Sequence, residues 1–302
     1  LEDGVIDLHD TINTGDGTVK YYDKVIRDHE DEGLGKITAR EVFEHSSNVG
    51  TAKIIYENYK DNPRRYVDRL YSMKINKPLD LQIKGEGKPV IRAPGEKLWS
   101  GISLPMMSHG YEVQMTPLQI LTFYNAVANG GKMVKPRFVT EVKDGNRVVK
   151  SFDTEVITNA ICSRSTIRKA QSLLEGVVEE GTAKNLKNSN YKIAGKTGTA
   201  QIANARHGYR SGARISYQAS FVGYFPADDP LYSCIVVVNA PSNWVYYGNV
   251  VSGPVFKEIA DKVYASSFYR DLHALNPEGD EKVTLREASS EVGKNDLTVA
   301  GG

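Results

Sequence analysis

Cysteine is nearly absent from this 302-residue chain: Cys162 and Cys234 are the two it holds, too few for a disulfide framework. Cys234 lies inside the apolar run YSCIVVVNA, where a thiol behaves as a small hydrophobe, and both cysteines read as structural or incidental. No apolar run has the roughly 20 residues of a membrane span, and no charged-then-apolar leader opens the chain. Charge of one sign is lacking too. Lys and Arg number 38 against 37 Asp and Glu, a formal net charge of +1. That balance gives no basic face for nucleic acid and no reason to expect a strongly acidic partner. The six histidines (His9, His29, His45, His109, His207 and His273) show no metal-ligand spacing such as H-E-x-x-H. The stretches GLGK and GEGK fall short of a phosphate-binding loop, and the tyrosines are spread out rather than interleaved with basic residues. No metal site is expected. The chain also lacks an initial methionine. A start at LEDGVIDLHD looks cut from something longer, so the missing leader is no argument for the cytoplasm.

What is present is an ordinary globular composition, 40% hydrophobic and 25% charged, enough to bury a sizeable core. In ITAREVFEHSSNVGTAKIIYENY, Thr38 and Glu41 form a capping box, and a polar break at His45 to Asn48 separates two helices. MTPLQILTFYNAVANGG predicts a helix capped by Thr116, with Pro117 at its first position and Gly130 ending it left-handed. From Ser165 to Gly181 the residues Ile167, Ala170, Leu173, Leu174, Val177 and Val178 recur at helical spacing, with Gly181 as the stop. The period then changes. YKIAGKTGTAQIA, YQASFVGYF and LYSCIVVVNA read as one strand followed by a hairpin turned at PADDP. SGPVFKEIADKVYASSFY returns to helical spacing, and beyond Pro277 the chain becomes polar and aperiodic. Helices flanking a small antiparallel sheet predict a mixed α and β domain over residues 1–265, with 266–302 as a tail or linker.

The chemistry concentrates in two places. On a strand, Thr197 and Thr199 share one face while Lys196 and Gly198 share the other. Two hydroxyls beside a cation can grip a carboxylate, and a glycine admits a ligand close to the backbone; an edge strand with solvated polar residues gives the same four letters. In HSSNVG, Ser46 and Asn48 at a helix break can point into one cleft, or can cap locally. His45 adjoins Ser46, but neighbouring helical residues face different ways, which argues against a triad base.

In their order and context these motifs resemble the transpeptidase domain of class B penicillin-binding proteins. Ser46-Ser47-Asn48 matches the S-x-N element and Lys196-Thr197-Gly198-Thr199 the K-T-G element. The likeness continues in MTPLQI, AVANGGKMVKPR, LLEGVVEEGTAKNL, ASFVGYFPADDP and GPVFKEIA. It implies the serine β-lactamase and penicillin-binding-protein fold, an α/β fold of α+β type. An antiparallel sheet is flanked by helices, and a helical subdomain carries Ser46 and Asn48. The family's S-x-x-K nucleophile helix and its N-terminal strands are expected upstream of Leu1. This chain then supplies three strands of a larger sheet, whose unpaired edge is an aggregation risk. The literal S-x-x-K at Ser189 to Lys192 precedes the K-T-G strand, the wrong place for the nucleophile.

By the same resemblance Ser46 relays a proton to the leaving amine, and Asn48 holds the absent lysine and the substrate amide. Lys196 keeps the Ser46 region electropositive and, with Thr197, Gly198 and Thr199, binds the substrate carboxylate. The Thr199 N–H gives half of an oxyanion hole. The implied activity of the parent protein is D,D-transpeptidation of peptidoglycan stem peptides through a serine acyl-enzyme, without a cofactor and with β-lactams as trapped mimics. This chain alone lacks the nucleophile. The implied place is the extracytoplasmic side of the cell membrane, through a missing N-terminal anchor, beside division or elongation proteins. A D,D-carboxypeptidase or β-lactamase-like hydrolase shares the motifs, and a non-catalytic scaffold of the wall machinery can keep the cleft without the chemistry.

Overall fold

The computed structural model describes residues 1–29, 32–202, 215–242 and 245–275, with side chains as far as Ser267 in the last helix. The first strands, β1 (Thr11–Gly15), β2 (Thr18–Tyr21), β3 (Lys24–Arg27) and β4 (Gly35–Thr38), form two antiparallel pairs, β1 with β4 and β2 with β3. Helices α1 (Ala39–Glu44), α2 (Asn48–Tyr59) and α3 (Pro63–Ser72) follow. Then β5 (Val90–Ile91), α4 (Ser103–Met107) and β6 (Val113–Gln114) lead to α5 (Pro117–Ala128). Between α5 and α6 (Arg164–Glu179) come β7 (Met133–Val134), the solvent-exposed hairpin of β8 (Glu141–Asp144) and β9 (Arg147–Ser151), and β10 (Val156–Thr158), which pairs with β7. The principal sheet is β11 (Ala194–Ile202), β12 (Ser216–Phe225) and β13 (Tyr232–Asn239), antiparallel in that order, and α7 (Gly248–Val251) and α8 (Gly253–Leu275) close the fold.

Local chemistry explains the helix ends. Thr38 caps α1, its hydroxyl accepting from Glu41 N–H while the Glu41 carboxylate accepts from Thr38 N–H, the expected capping box. Thr116 and Gln119 make a second box at α5, and Gly130 follows that helix at φ 64°. Gly181 follows the end of α6 as expected, but without the left-handed φ of Gly130; a Cβ there lands 2.3 Å from the Glu44 carbonyl oxygen. The constraint at the end of α6 is close approach to α1, not a special φ.

Helices α5 and α6 cover one face of the sheet. Along β12, Tyr224 joins a buried cluster with Ala126, Val127, Ile167 and Leu174. Phe221 and Phe225, of opposite parity, point to the other face, where the Phe256 ring lies 4.7 and 5.8 Å from theirs. A central strand buried on both sides needs an almost unbroken apolar run, and ASFVGYF is one. Burying each aromatic ring is worth about 2–3 kcal/mol. Strand β11 forms one edge of the sheet and β13 the other.

The chain divides into two compact units, Leu1–Lys257 and a second beginning at Glu258. The described part of the second is helix, the continuation of α8 to Leu275, so the expected division at residue 265 falls inside a helix. The expected tail beyond Pro277 lies outside the described residues. Among those described, no helix is long and apolar enough to cross a membrane.

Two substitutions separate a cap from a close approach. Thr116→Ala removes a capping hydroxyl and lowers unfolding free energy by about 1 kcal/mol. Gly181→Ala forces α1 and α6 apart and costs more, about 1–3 kcal/mol or beyond. Denaturant titration of both variants reads the order; equal costs contradict the close-approach account.

Candidate active site

Between α1 and α2 the chain has to reverse within three residues. Ser46 makes the reversal at φ 57°, a left-handed conformation that a non-glycine residue adopts at a cost of about 1–2 kcal/mol. Its neighbours hold it there. Ser47 N–H donates to Val42 O at 2.9 Å, and the Ser47 hydroxyl accepts from Gly50 N–H at 2.9 Å as the α2 cap. That hydroxyl also donates to Asp28, 2.8 Å away, whose second carboxylate oxygen accepts from Val49 N–H. Ser47 is therefore buried and committed to structure, which leaves Ser46 as the serine of the cleft.

Across the cleft β11 runs along the edge of the sheet, with Lys196 opposite Val222 and Thr199 opposite Ala219. The Lys196 ammonium donates to the Ser46 hydroxyl oxygen. It lies 5.6 Å from the centre of the Phe43 ring, a cation–π contact. Lys196 is half-buried, and desolvation lowers the pKa of its ammonium to about 8.

The strand's alternation is as the sequence predicts. The Thr197 hydroxyl lies 3.0 Å from the Thr182 hydroxyl. The Thr199 hydroxyl accepts from Gly248 N–H at 3.2 Å, which leaves its own proton to donate. At Gly198 the space for a Cβ is taken by the Ser220 hydroxyl, 2.5 Å from that position, and Gly248 packs against the Gly198 backbone. Asn48 opens α2, and its amide nitrogen donates to Arg27 O at 2.9 Å rather than reaching Ser46 or Lys196. So the fold brings Lys196 to Ser46 and Thr197 to Thr182, while Thr199 meets Gly248 and Asn48 turns toward β3. The literal S-x-x-K points elsewhere: Lys192 pairs with Glu175 at 2.5 Å on the surface.

Two features were assigned no role from the sequence. Thr182, inside the LLEGVVEEGTAKNL likeness, reaches Thr197 from just beyond α6. Tyr217 stacks on Tyr246 with centroids 3.9 Å apart, Tyr246 meets Tyr247 at 4.6 Å, and Tyr247 meets His29 at 4.5 Å. These rings come from three distant segments. Among the described residues no group of His, Cys, Asp or Glu is placed to hold a metal ion. A cavity of about 600 Å³ lies away from Ser46 and Lys196, lined by Glu2, Asp3, Arg65, Arg69 and neighbours, where Arg69 already pairs with Asp3.

An antiparallel sheet flanked by helices, with a lysine on its edge strand donating to a serine at a helix break, fits the serine β-lactamase and penicillin-binding-protein fold. The chain belongs to the family described as penicillin binding protein transpeptidase domain, whose sequence profile matches residues 1–261. It is 30% identical over 225 residues to the probable peptidoglycan D,D-transpeptidase PbpC of Pseudomonas aeruginosa, covering 74% of this chain and 36% of that protein. It is 30% identical over 281 residues to penicillin-binding protein PbpB of Mycolicibacterium smegmatis, covering 89% and 41%. The chain thus spans well under half the length of these two relatives. Among solved structures, the transpeptidase domain of Burkholderia pseudomallei penicillin-binding protein 3 superposes with a TM-score of 0.70 at 26% identity, over 91% of this chain and 75% of that one. Penicillin-binding protein 3 of Mycobacterium tuberculosis gives 0.75 at 25% identity, over 88% and 59%.

The lowered Lys196 pKa has a thermodynamic consequence. Between about pH 8 and the ordinary lysine value of 10.5 the unfolded chain holds the lysine proton and the native state does not, so stability rises with pH through that window. Below pH 8 the burial penalty is fully present. Lys196→Met removes it. The stability of the native chain relative to this variant should improve by on the order of 2 kcal/mol between pH 7.5 and 10.5, allowing for partial hydration. Paired denaturant titrations check this, and a pH-independent difference contradicts it.

Proposed function

We propose that residues 1–265 form the proton-handling and substrate-gripping part of a D,D-transpeptidase that cross-links peptidoglycan stem peptides, with 266–302 as a tail or linker. The Lys196–Ser46 contact carries this reading. Lysine donates to the serine oxygen, so the serine's own proton is free to pass to a leaving amine. In the proposed reaction a serine Oγ attacks the carbonyl of the D-Ala-D-Ala bond, and the C–N bond breaks. The released amine takes its proton through Ser46, and an acyl-enzyme remains. An amine of a neighbouring stem then attacks the ester, the serine oxygen leaves and regains a proton, and a new amide is the product.

The terminal carboxylate of the donor stem is held by the Lys196 charge and by hydroxyls of Thr197 and Thr199, with Gly198 keeping the backbone close. Because β11 is a sheet edge, alternate backbone N–H groups face away from β12. Thr199 N–H is assigned to the oxyanion hole on that basis. Asn48 is assigned to the substrate amide, exchanging its contact with Arg27. No second serine–lysine pair meets this cleft among the described residues, and the attacking serine is assigned to an S-x-x-K segment outside residues 1–302. β-Lactams acylate the same serine. The relatives' wall-building names support an extracytoplasmic, membrane-held setting beside division or elongation proteins.

Intact mass after incubation with penicillin tests this on residues 1–302 and on a protein extended upstream through an S-x-x-K helix. One acyl adduct is expected on the longer protein alone, with Lys196→Ala slowing its formation on the order of a hundredfold. An adduct on residues 1–302 overturns the placement of the nucleophile. No adduct on either overturns the transpeptidase reading in favour of a scaffold.

A further inference from the structure

Ser46 and Lys196 lie 150 positions apart in the chain, yet their contact is close. One residue outside both motifs touches both elements. Thr182 N–H donates to the Glu44 carbonyl at 3.0 Å, two residues before Ser46. Its hydroxyl lies 3.0 Å from the Thr197 hydroxyl, one residue after Lys196. The preceding Gly181 allows this, since any side chain there collides with the same Glu44 carbonyl.

The other side of Glu44 is anchored as firmly. Its side chain is buried, 5% exposed for the residue, and accepts from Arg40 at 2.9 Å. Arg40 in turn donates to the Ser172 hydroxyl on α6 at 2.8 Å. The carboxylate fills the space where a side chain at Gly176 would begin, with a Cβ there 1.9 Å from Glu44 Oε1. With Glu44 buried and Arg40 half-exposed, this ion pair contributes little net stability, but the buried carboxylate tolerates few alternative geometries. Helix α1 is thereby keyed to α6 through Arg40 and Glu44, and the end of α6 is tied to β11 through Thr182.

We infer that Thr182 is a positioning residue of this site, setting how closely the Ser46 turn approaches the Lys196 strand and which way the Thr197 hydroxyl donates. The inference rests on the proposed reading of the Ser46–Lys196 contact as the proton-handling pair. When Thr182 donates to Thr197 Oγ1, the Thr197 proton points on toward a bound carboxylate. Without that bond, Thr197 satisfies its own acceptor from water and the turn loses a tie to the strand. Misplacing reacting groups by about 1 Å costs on the order of a hundredfold in rate, so a tie of this kind registers in kinetics before it registers in folding.

The test compares Thr182→Val, which keeps the N–H and removes the hydroxyl, with Thr182→Ser, which restores it. In residues 1–302 carrying ¹³Cε-lysine, the Lys196 resonance, assigned by its loss in Lys196→Arg, is titrated by NMR. Thr182→Val should raise the Lys196 pKa by about half a unit or more as water reaches the ammonium, and Thr182→Ser should return it to the native value. In the longer protein, penicillin acylation should slow by roughly tenfold in Thr182→Val and recover in Thr182→Ser. A folded Thr182→Val with native Lys196 titration and native acylation overturns the positioning role. If the titration shifts as expected while no version is acylated, the transpeptidase reading fails and the positioning role stands. If Thr182→Val does not fold, Thr182→Ala carries the same comparison.

Discussion

A lysine ammonium has to sit largely out of water beside a serine hydroxyl, and most of the site is arranged to make that tolerable. Desolvation alone pushes the Lys196 pKa down to about 8. The Phe43 ring and the Ser46 oxygen return part of the lost solvation, one through its quadrupole and one through a hydrogen bond. Phe43 lies in the last turn of α1 and Ser46 in the break that follows it. The same short segment therefore supplies the hydroxyl and lines the pocket of the cation that meets it.

Such a contact needs stiff supports, because two side chains on mobile loops would lose it to water. The α1–α2 turn is stiffened from below by Ser47 and Asp28, which satisfy the free N–H groups at the start of α2. Strand β11 is stiffened by its nine-residue register with β12, whose aromatic residues lock into helices on both faces of the sheet. Between the two stand Gly176, Gly181 and Thr182, where the absence of two side chains lets α1 lie close on α6. Stability and chemistry share these residues, so damage to the interhelix seam should appear as a loosened site.

The rest of the cleft divides its duties by hydrogen-bond polarity. Lys196 brings donors only. The Thr199 hydroxyl already accepts from Gly248 and so faces a ligand as a donor, and Thr197 can be turned the same way by Thr182. A wall of donors is suited to a carboxylate and poorly suited to a cation. Tyr217 at the start of β12, stacked on Tyr246, adds an aromatic surface at that end of the sheet.

Much of this was legible from one sequence. Thr38, Glu41, Thr116 and Pro117 act within a few residues of themselves, so caps, helices and the β12–β13 hairpin could be read from local spacing. The alternation of Lys196, Thr197, Gly198 and Thr199 followed from strand geometry alone, and the order of motifs pointed to the family. Contacts between distant segments could not be read that way. That the Ser47 hydroxyl is taken up by Asp28, nineteen positions away, is one such contact. That Gly181 serves close approach rather than a left-handed turn depends on Glu44. The sequence determined which elements form and which residue types could do the chemistry, because propensity, capping and alternation act over short range. Only tertiary structure decided how far the Lys196 pKa falls, what holds Ser47 out of the site and which residue joins the two sides, because burial and hydrogen-bond geometry are set by segments that pack together only in the fold.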